Sequence, residues 1–327
     1  MELTVAIPSR GRNELLKRLL DALNHQTIQQ HRFEVLVGLD GQTLPASQPD
    51  SLAFARLIQL PHRGPAATRN ALIEQAKGRV ILFLNDDVTP APDLLEHHLR
   101  AHEAISPADL VLGSAPWVVP PSDTIFDRLI RETSLVFFYD GMDQHDASRD
   151  PDHDWGFRHA WTLNLSLRTE NAKRIRFEER LPRAMFEDLE WGYRLAHTLG
   201  SRVLYRPEAV VTHDHRYTLA GYLERERHLG GQSLALAKIN PDCAHAVFGR
   251  DVRDPDFIRE CAQMCEQEQE TCASLAREFE ELAGKPSNSV KDIKEVYQRF
   301  MPLKRHTWHQ GLVEEAIRLG LVSTLAA

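Results

Sequence analysis

Residues 1–115 alternate between short apolar runs and segments in which apolar residues recur with helical spacing. Four apolar runs predict strands: Leu3–Pro8, Phe33–Gly41, Ala55–Leu60 and Val80–Leu84. Leucine spacing predicts a helix over Arg12–His25, and a second predicted helix, Gly64–Gly78, has Pro near its first turn and Gly at its end. Apolar strands without internal alternation are typical of a parallel sheet that is covered by helices.

The rest of the chain mixes the two patterns and then becomes helical. We expect strands over 110–119 and 159–168, two strand pieces over 201–213, and helices over 123–139 and 185–200. The polar, aspartate-rich segment Asp140–His159 predicts a loop. After Tyr217 we expect helices over Leu219–Ile239 and Asp256–Gly284, followed by two shorter ones up to Ala327.

Charge and composition exclude several classes of protein. The net charge of −8, from 39 basic and 47 acidic residues, argues against nucleic acid as a partner. The first residues lack the basic and apolar regions of a signal peptide, and no apolar run is long enough to predict a transmembrane segment. We therefore expect a cytoplasmic protein.

The four cysteines do not have the spacing of a disulfide framework or of a zinc site. Cys261, Cys265 and Cys272 fall on one face of a predicted helix, which favours a role as small buried hydrophobic residues.

The stretch from Gly78 to Asp93 raises the main chemical question. An apolar strand ends abruptly in Asn85, Asp86 and Asp87. Adjacent carboxylates at the end of a core strand repel each other unless they face solvent or bind a cation. Aspartate oxygens together with phosphate oxygens are how Mg²⁺ or Mn²⁺ is usually held, whereas a solvated turn is the alternative.

Other polar residues gather at the same predicted edge, because ligands of such sheets bind beyond the carboxyl ends of the strands. The mixed acidic and basic set suits a metal-bound phosphate compound; it comprises Pro8, Arg10, Asp40, Arg63, Asp86 and Asp87.

Two later motifs carry further candidates. Glu187 and Asp188 begin a predicted helix, where acids either cap the helix or act as a general base. His213 and His215 end a strand, and imidazole suits Mn²⁺ beside carboxylates, although such histidines are often structural. We expect His97, His98 and His102 to be partly exposed helix positions.

In this order the motifs resemble the family 2 glycosyltransferases of the GT-A fold, over roughly Leu3–Tyr217. The matching segments are VAIPSRGRNELLKRLLDAL, FEVLVGLDGQ, RGPAATRNALIEQAKGRVILFLNDD, TLNLSLR, RFEERLPRAMFEDLEWGYRL and PEAVVTHDHR. The resemblance implies an α/β, mostly parallel mixed sheet flanked by helices, with a helical C-terminal extension. It also implies a donor-binding half, 1–115, an acceptor and catalytic half, 116–217, and the extension, 218–327.

The resemblance further implies roles for individual residues. Asp87 would hold a divalent cation, Mn²⁺ or Mg²⁺, with His213 as a further ligand, and Asp86 would lie against the ribose or the metal. Arg69 would approach the nucleotide and Asn164 the donor sugar. Asp188 would be the general base, which Glu187 orients, and one base with direct attack implies inversion at the anomeric carbon.

Two departures from the family pattern concern the donor. Leu39 replaces the first acid of the family's Asp-Asp-Gly-Ser motif, so that UDP is only the default nucleotide, and Asn85 begins the metal turn in place of an acid. The processive Q-x-x-R-W motif is missing as well, since the corresponding region is GYRLAHTL. A non-processive enzyme acting on an unknown hydroxyl acceptor is therefore expected.

Alternatives from other classes remain open at this point. A sugar-phosphate nucleotidyltransferase would share the sheet, but IPSRGRN lacks its Gly-rich signature. A catalytically idle nucleotide- or carbohydrate-binding scaffold would retain the fold without turnover. The C-terminal helices could form a homo-oligomer interface, and a lipid-linked acceptor would imply peripheral association with a membrane.

Overall fold

The computed structural model describes residues 1–42, 54–137, 139–143 and 150–323. Within these residues the chain forms eight strands: β1 (Leu3–Ser9), β2 (Phe33–Asp40), β3 (Ala55–Leu60), β4 (Val80–Leu84), β5 (Val88–Pro90), β6 (Leu110–Ser114), β7 (Asn164–Arg168) and β8 (Val203–His213).

The helices of the described residues alternate with the strands and then follow them. They are α1 (Asn13–Asn24), α2 (Pro65–Gln75), α3 (Leu94–Ala104), α4 (Ile125–Glu132), α5 (Tyr139–Asp143), α6 (Thr169–Arg174), α7 (Glu187–Leu199), α8 (Leu219–Ile239), α9 (Pro241–Phe248), α10 (Pro255–Ala283) and α11 (Ile293–Arg318). Single 3₁₀ turns occur at Gln30–Arg32, Phe157–His159 and Ser287–Ser289.

The strands form one mixed sheet in the order β3-β2-β1-β4-β7-β6-β8-β5. Strands β3, β2, β1 and β4 are parallel neighbours, and the antiparallel β7 separates β4 from β6. Because two antiparallel pairings restore the direction, β8, which is parallel to β6, ends at the same edge as β1 and β4. This edge therefore collects the residues that follow all three strands.

The core explains why the central strands lack alternation. Every residue of β4 is buried, and so are the leucines of α1 that face the sheet. The predicted fold class, a mostly parallel mixed sheet flanked by helices and followed by C-terminal helices, is confirmed.

Several element predictions needed correction. The strand expected over 110–119 ends at Ser114, and the two pieces expected over 201–213 form one strand, β8. The pairing of β6 with β8 shifts register between Gly113 and Ser114, and this irregularity accommodates Pro207 within β8.

The predicted helix over 123–139 is shorter in the structure. Thr124 caps α4, which ends at Glu132, and α5 takes up the start of the expected loop Asp140–His159. Residues 144–149 of that loop lie outside the described residues. The two short helices expected near the C-terminus are one long helix, α11, with Pro302 inside it.

The chain divides into two compact units. The first comprises Met1–Val118 and Gly141–His215 and holds the whole sheet; the second comprises Val119–Asp140 and Arg216–Ala327. Residues 119–140, which the sequence analysis assigns to the acceptor half, thus group with the C-terminal helices. None of the helices in the described ranges combines the length and the apolar character that a bilayer crossing requires.

Candidate functional site

The two acids that follow β4 are buried side by side at the collecting edge of the sheet. Asp86 has 0% of its surface exposed and Asp87 has 4%. The solvated turn that the sequence left open is therefore not what forms here. Two adjacent carboxylates without water require opposite charge close by.

Two histidines, one at the end of β8 and one just after it, contact Asp87. β5 pairs with the end of β8, so that Val88 lies opposite His213 and the main-chain N–H of Asp214 donates to the Asp87 carbonyl oxygen at 2.8 Å. His213 Nε2 lies 3.5 Å and His215 Nδ1 3.3 Å from Asp87 Oδ2. The ring of Trp117 packs against His213 with 4.2 Å between the centroids.

Arg12, in the loop after β1, supplies positive charge to both acids. Its guanidinium forms ion pairs with both Asp86 and Asp87, and 42% of its side chain remains exposed. Ser9 Oγ also donates to Asp86 Oδ2 at 2.7 Å. The two acids are thus held by one cation that reaches solvent.

The two carboxyl groups respond differently to these surroundings. Burial raises the pKa of Asp86, which its contacts with Arg12 and Ser9 only partly offset. Burial also acts to raise the pKa of Asp87, but hydrogen bonds from His213 and His215 outweigh it and hold that pKa far below its usual range. Asp87 is therefore the permanently ionised member of the pair.

The residues around Asp87 fit a divalent cation. Asp87 Oδ1 is buried and has no hydrogen-bond partner among the described residues, so one carboxylate oxygen is available for a further ligand. Carboxylate oxygen and imidazole nitrogen are together a donor set that suits Mn²⁺. The structure thus brings together the predicted metal residues Asp87 and His213, with His215 beside them.

A second cluster of charge surrounds the start of α7. Arg69 Nη1 donates to Glu187 Oε1 at 2.9 Å, and both side chains are buried. The other carboxylate oxygen of Glu187 accepts from the main-chain N–H of Met185 at 2.7 Å, and the Arg69 guanidinium lies over the ring of Phe177. Arg69, predicted to approach the nucleotide, is thus committed to Glu187 in this structure.

Asp188 lies next to this pair and is half-buried. The main-chain N–H of Leu189 donates to Asp188 Oδ1 at 2.8 Å, and the backbone of Thr162 forms another hydrogen bond to the carboxylate. Burial first, and then the negative charge of Glu187, raise the pKa of Asp188 to about 7, although Arg69 opposes the rise. A carboxyl that titrates near neutral pH is suited to general base catalysis.

One short segment connects the two clusters. The main-chain N–H of Asn85 donates to the carbonyl oxygen of Leu163 at 3.4 Å, and Thr162, the preceding residue, is the hydrogen-bond partner of Asp188. Phe83 of β4 also packs edge-on against Trp191 of α7. The turn that holds the acids after β4 and the candidate base Asp188 are therefore hydrogen-bonded to adjacent residues, Leu163 and Thr162, which directly precede β7.

The remaining residues predicted to bind the donor differ in their burial and in their hydrogen-bond partners. Asp40 is buried, and it accepts from the main-chain N–H of Arg63 at 2.8 Å, from that of Gly64 and from His62 Nδ1. The Arg63 side chain forms an exposed ion pair with Glu179. Pro8 is half-buried and Arg10 is exposed. Asp40 thus secures the loop that leads into α2, and its predicted contact with the donor stays a prediction.

Asn164 belongs to a buried polar network behind the sheet. Its amide group donates to the carbonyl oxygens of Ser114 and Ala209, and its Oδ1 faces His98 Nε2 at 2.9 Å. Ser166 Oγ contacts both His98 and His102. The structure therefore holds the Asn164 side chain in the interior, and its predicted role toward the donor sugar stays a prediction.

The expectation of partly exposed histidines on α3 is confirmed for His97 but was wrong for the other two. His98 and His102 are fully buried, and burial lowers the pKa of His98 to about 4 and that of His102 to about 3. The helix buries them because serine and asparagine side chains of β7 offer them hydrogen bonds. Both are therefore neutral structural residues.

No role for Arg12 or Trp117 was predicted from the sequence, whereas Ser9 lies within the predicted segment Pro8–Arg10. His213 ends β8 and His215 follows two residues later, and their rings lie 6.0 Å apart, so this spacing in the sequence could have indicated the pair. The contact of Arg12 with the acids is harder to predict from the sequence. It depends on β1 and β4 being neighbours in the sheet, which the local sequence does not show.

Part of the chain matches a known protein family. Residues 4–162 match the family model described as "Glycosyl transferase family 2". A pre-mycofactocin glycosyltransferase from Mycobacterium tuberculosis is 29% identical over 257 residues, which cover 74% of this chain and 48% of that protein. A validoxylamine A glucosyltransferase from Streptomyces hygroscopicus subsp. limoneus is 30% identical over 59% of this chain and 47% of that protein. The chain thus spans about half the length of these curated relatives.

Among solved structures, the fold is similar to that of a mannosyltransferase from Pyrobaculum calidifontis in complex with GDP-Man and Mn²⁺. The TM-score is 0.54 at 16% identity, and the match covers 99% of this chain and 88% of that one. At this identity the likeness concerns the fold alone, and it confirms the predicted GT-A class.

Proposed function

The chain belongs to glycosyl transferase family 2 through residues 4–162, and from this premise we propose that it transfers a sugar from a nucleotide diphosphate to an acceptor hydroxyl group. The proposal specifies an inverting, metal-dependent and non-processive reaction. The observation that carries it is the buried turn after β4, where Asp87 meets two histidines and keeps one carboxylate oxygen without a partner.

In this proposal Asp87 and His213 hold the divalent cation, and His215 supports them. A bound Mn²⁺ or Mg²⁺ supplies a Lewis acid that offsets the charge developing on the departing diphosphate. Arg12 also offsets negative charge on the diphosphate. Its partly exposed guanidinium contacts both acids and can form a hydrogen bond with a phosphate group that binds beside them. Asp86 lies against the ribose or the cation.

Asp188 takes the proton of the acceptor hydroxyl as that oxygen attacks the anomeric carbon. Its raised pKa, about 7, places the proton affinity of the carboxylate in the range that general base catalysis uses. Glu187 is fixed by Arg69 and by the main chain of Met185, and it keeps the neighbouring carboxylate in position. A single base and direct displacement predict inversion of configuration.

The nature of the substrates rests on the relatives. The matched curated proteins are named for glycosyl and glucosyl transfer, and the matched mannosyltransferase binds GDP-Man and Mn²⁺. UDP remains the default nucleotide for this chain, with Leu39 in place of the usual acid, and the acceptor is a hydroxyl compound of unknown identity.

The test is a Mn²⁺-dependent binding and slow-hydrolysis screen across UDP-, GDP-, dTDP- and CDP-sugars. We expect one nucleotide class to bind only with metal and to be hydrolysed slowly, and the first-formed anomer of the released sugar to be inverted, as NMR would show. Asp87→Ala should weaken donor affinity by about tenfold or more, because a metal ligand is lost.

Asp93→Ala is the matched control, since Asp93 is an exposed acid shortly after the same turn and forms an ion pair with His97. Its affinity for the donor should equal that of the parent protein. Donor binding without any hydrolysis would favour the catalytically idle scaffold. Equal losses in both variants would overturn the assignment of Asp87.

A further inference from the structure

The second unit contains a cluster of potential metal ligands that the proposed function does not use. Glu268 and Cys272 lie one turn apart on α10, and His306 lies on α11. One candidate ligand atom from each of the three lies within 4.8 Å of those of the other two. The cluster is not apparent from the sequence, because His306 lies more than thirty residues beyond the other two.

Each member is buried at its ligating end. His306 is 5% exposed and Cys272 is 3% exposed. His306 Nδ1 and Glu268 Oε2 are buried atoms without a hydrogen-bond partner among the described residues. The Cys272 thiol has only a 4.0 Å contact with the carbonyl oxygen of Pro302. Unpartnered polar atoms in a helical interface are costly unless a ligand satisfies them.

The other polar atoms of the same side chains are already anchored. Gln310 lies 3.0 Å from His306 Nε2, and Arg305 forms a 2.6 Å ion pair with Glu268 Oε1. Neighbours that hold the distal atom of a histidine or carboxylate ligand are a regular feature of protein metal sites. Both side chains thus have one atom fixed by a neighbour and one atom left for coordination.

We propose that Glu268, Cys272 and His306 bind a zinc-type cation that links α10 to α11. Thiolate, imidazole and carboxylate form a donor set that Zn²⁺ accepts in tetrahedral geometry. Such a site brings its ligand atoms to about 3.4–3.7 Å from one another, so binding requires the side chains to close in by roughly 1 Å. The thiol proton of Cys272 leaves to solvent on binding.

A three-residue site leaves a fourth coordination position. Cys272 and His306 also line a cavity of about 510 Å³, together with polar groups such as Thr307 and Gln310. A water molecule reaching the cation from this cavity completes the tetrahedron.

The test uses the untagged full chain, stripped of metal with a chelator and then titrated with Co²⁺ and Zn²⁺. We expect one Co²⁺ to produce a sulfur-to-cobalt charge-transfer band together with the intense visible bands of tetrahedral coordination. The Asp87 cluster has no sulfur ligand, so this signature separates the proposed site from it. Zn²⁺ should displace Co²⁺ and raise the Tm by about 5 °C at saturating concentration.

Matched variants assign the ligands. Cys272→Ser and His306→Gln should abolish the charge-transfer band or weaken Zn²⁺ affinity about 100-fold or more. Cys265→Ser and His309→Gln, which alter a thiol and an imidazole on the same two helices, should leave both readouts unchanged.

Three results would overturn the proposal. The first is the absence of the thiolate band when the unmodified chain receives stoichiometric Co²⁺. This result would count against the proposal even if a variant failed to fold. The second is equal affinity in ligand and control variants that circular dichroism shows to be folded. The third is Zn²⁺ binding that disappears only in Asp87→Ala, since that result assigns the cation to the first unit.

Discussion

Asp188 has opposite effects on stability and on catalysis. Its folded-state pKa, about 7, is raised above the ordinary value of 3.8, so the folded chain binds this proton more tightly than the unfolded chain. Stability therefore falls as the pH rises from about 4 to about 7. Above that pH the buried carboxylate is ionised at a cost in folding free energy. A neutral isostere should remove this cost together with the catalytic function.

We accordingly expect Asp188→Asn to reduce transfer or donor hydrolysis by about 10²–10⁴-fold while donor binding persists. The same variant should gain about 1–3 kcal/mol in the free energy of unfolding at pH 8, and should match the parent protein at pH 4. Urea unfolding at both pH values measures this. An inactive variant without the pH-dependent gain would contradict the raised pKa, and unchanged turnover would contradict the role of base.

Arg12 is a half-exposed cation that balances the negative charge of two buried acids, Asp86 and Asp87. Arg12→Ala should lower the free energy of unfolding by about 1–2 kcal/mol in metal-free buffer, less than for a fully buried pair because 42% of the side chain is exposed. The loss should shrink in saturating Mn²⁺, since the cation takes over the charge compensation.

Arg18→Ala is the control for Arg12, because Arg18 lies on α1, directly after the loop that holds Arg12, and pairs with Asp214 at the surface. Its effect on stability should stay below about 0.5 kcal/mol with or without Mn²⁺. Equal losses for both arginines would show that Asp86 and Asp87 do not depend on Arg12.

The sequence indicates which residues follow strand ends and so lie close together, but it does not show which partners a side chain contacts in the fold. Asp87 and His213 could be paired because their strands end at one edge. Arg69 and Asn164 have the expected positions in the chain, but Glu187 and His98 respectively engage their side chains. Such partners lie on other elements, and no local pattern encodes them.

At the scale of elements, hydrophobic periodicity predicted the strands β3 and β4 and the helix α8 at their observed bounds, because each is a continuous run with a clear beginning and end. It failed at α11, because two shorter helices were expected where the structure has one long helix. A proline in a helix interior removes one hydrogen bond, and here the surrounding helices keep the helix continuous. Short elements such as β5 carry too few residues for any period to appear.

The crossing of α8 and α11 provides a test of close packing. A Cβ on Gly230 would overlap the carbonyl oxygen of Trp308, whereas a Cβ on Gly231 would lie 3.3 Å from its nearest neighbours. Gly230→Ala should therefore lower the free energy of unfolding by about 2–4 kcal/mol.

Gly231→Ala is the matched control, because the same change at the next position gains helix propensity without the overlap. Its effect should stay within about 1 kcal/mol of the parent protein. Thermal and urea unfolding of the two variants measure the difference. Similar stabilities would mean that the two helix backbones do not approach as closely as the structure shows.

At the scale of the whole molecule, the two proposals assign different cations to different compact units. Hard oxygen and imidazole donors after β4 favour Mn²⁺ with a diphosphate, whereas the thiolate between α10 and α11 favours Zn²⁺. Ligands that bind a folded unit slow the local opening of the segments they hold together. Hydrogen exchange should therefore locate each cation.

We expect Mn²⁺ with the bound nucleotide to slow amide exchange in the segments around β4 and the end of β8, and Zn²⁺ alone to slow it in α10 and α11. Asp87→Ala should remove the first effect and keep the second, and Cys272→Ser should do the reverse. Mass spectrometry of peptic fragments gives the readout. Protection of both units by either cation, and its loss in both variants, would show that one site accounts for all metal binding and would refute the division of labour inferred from the ligand chemistry.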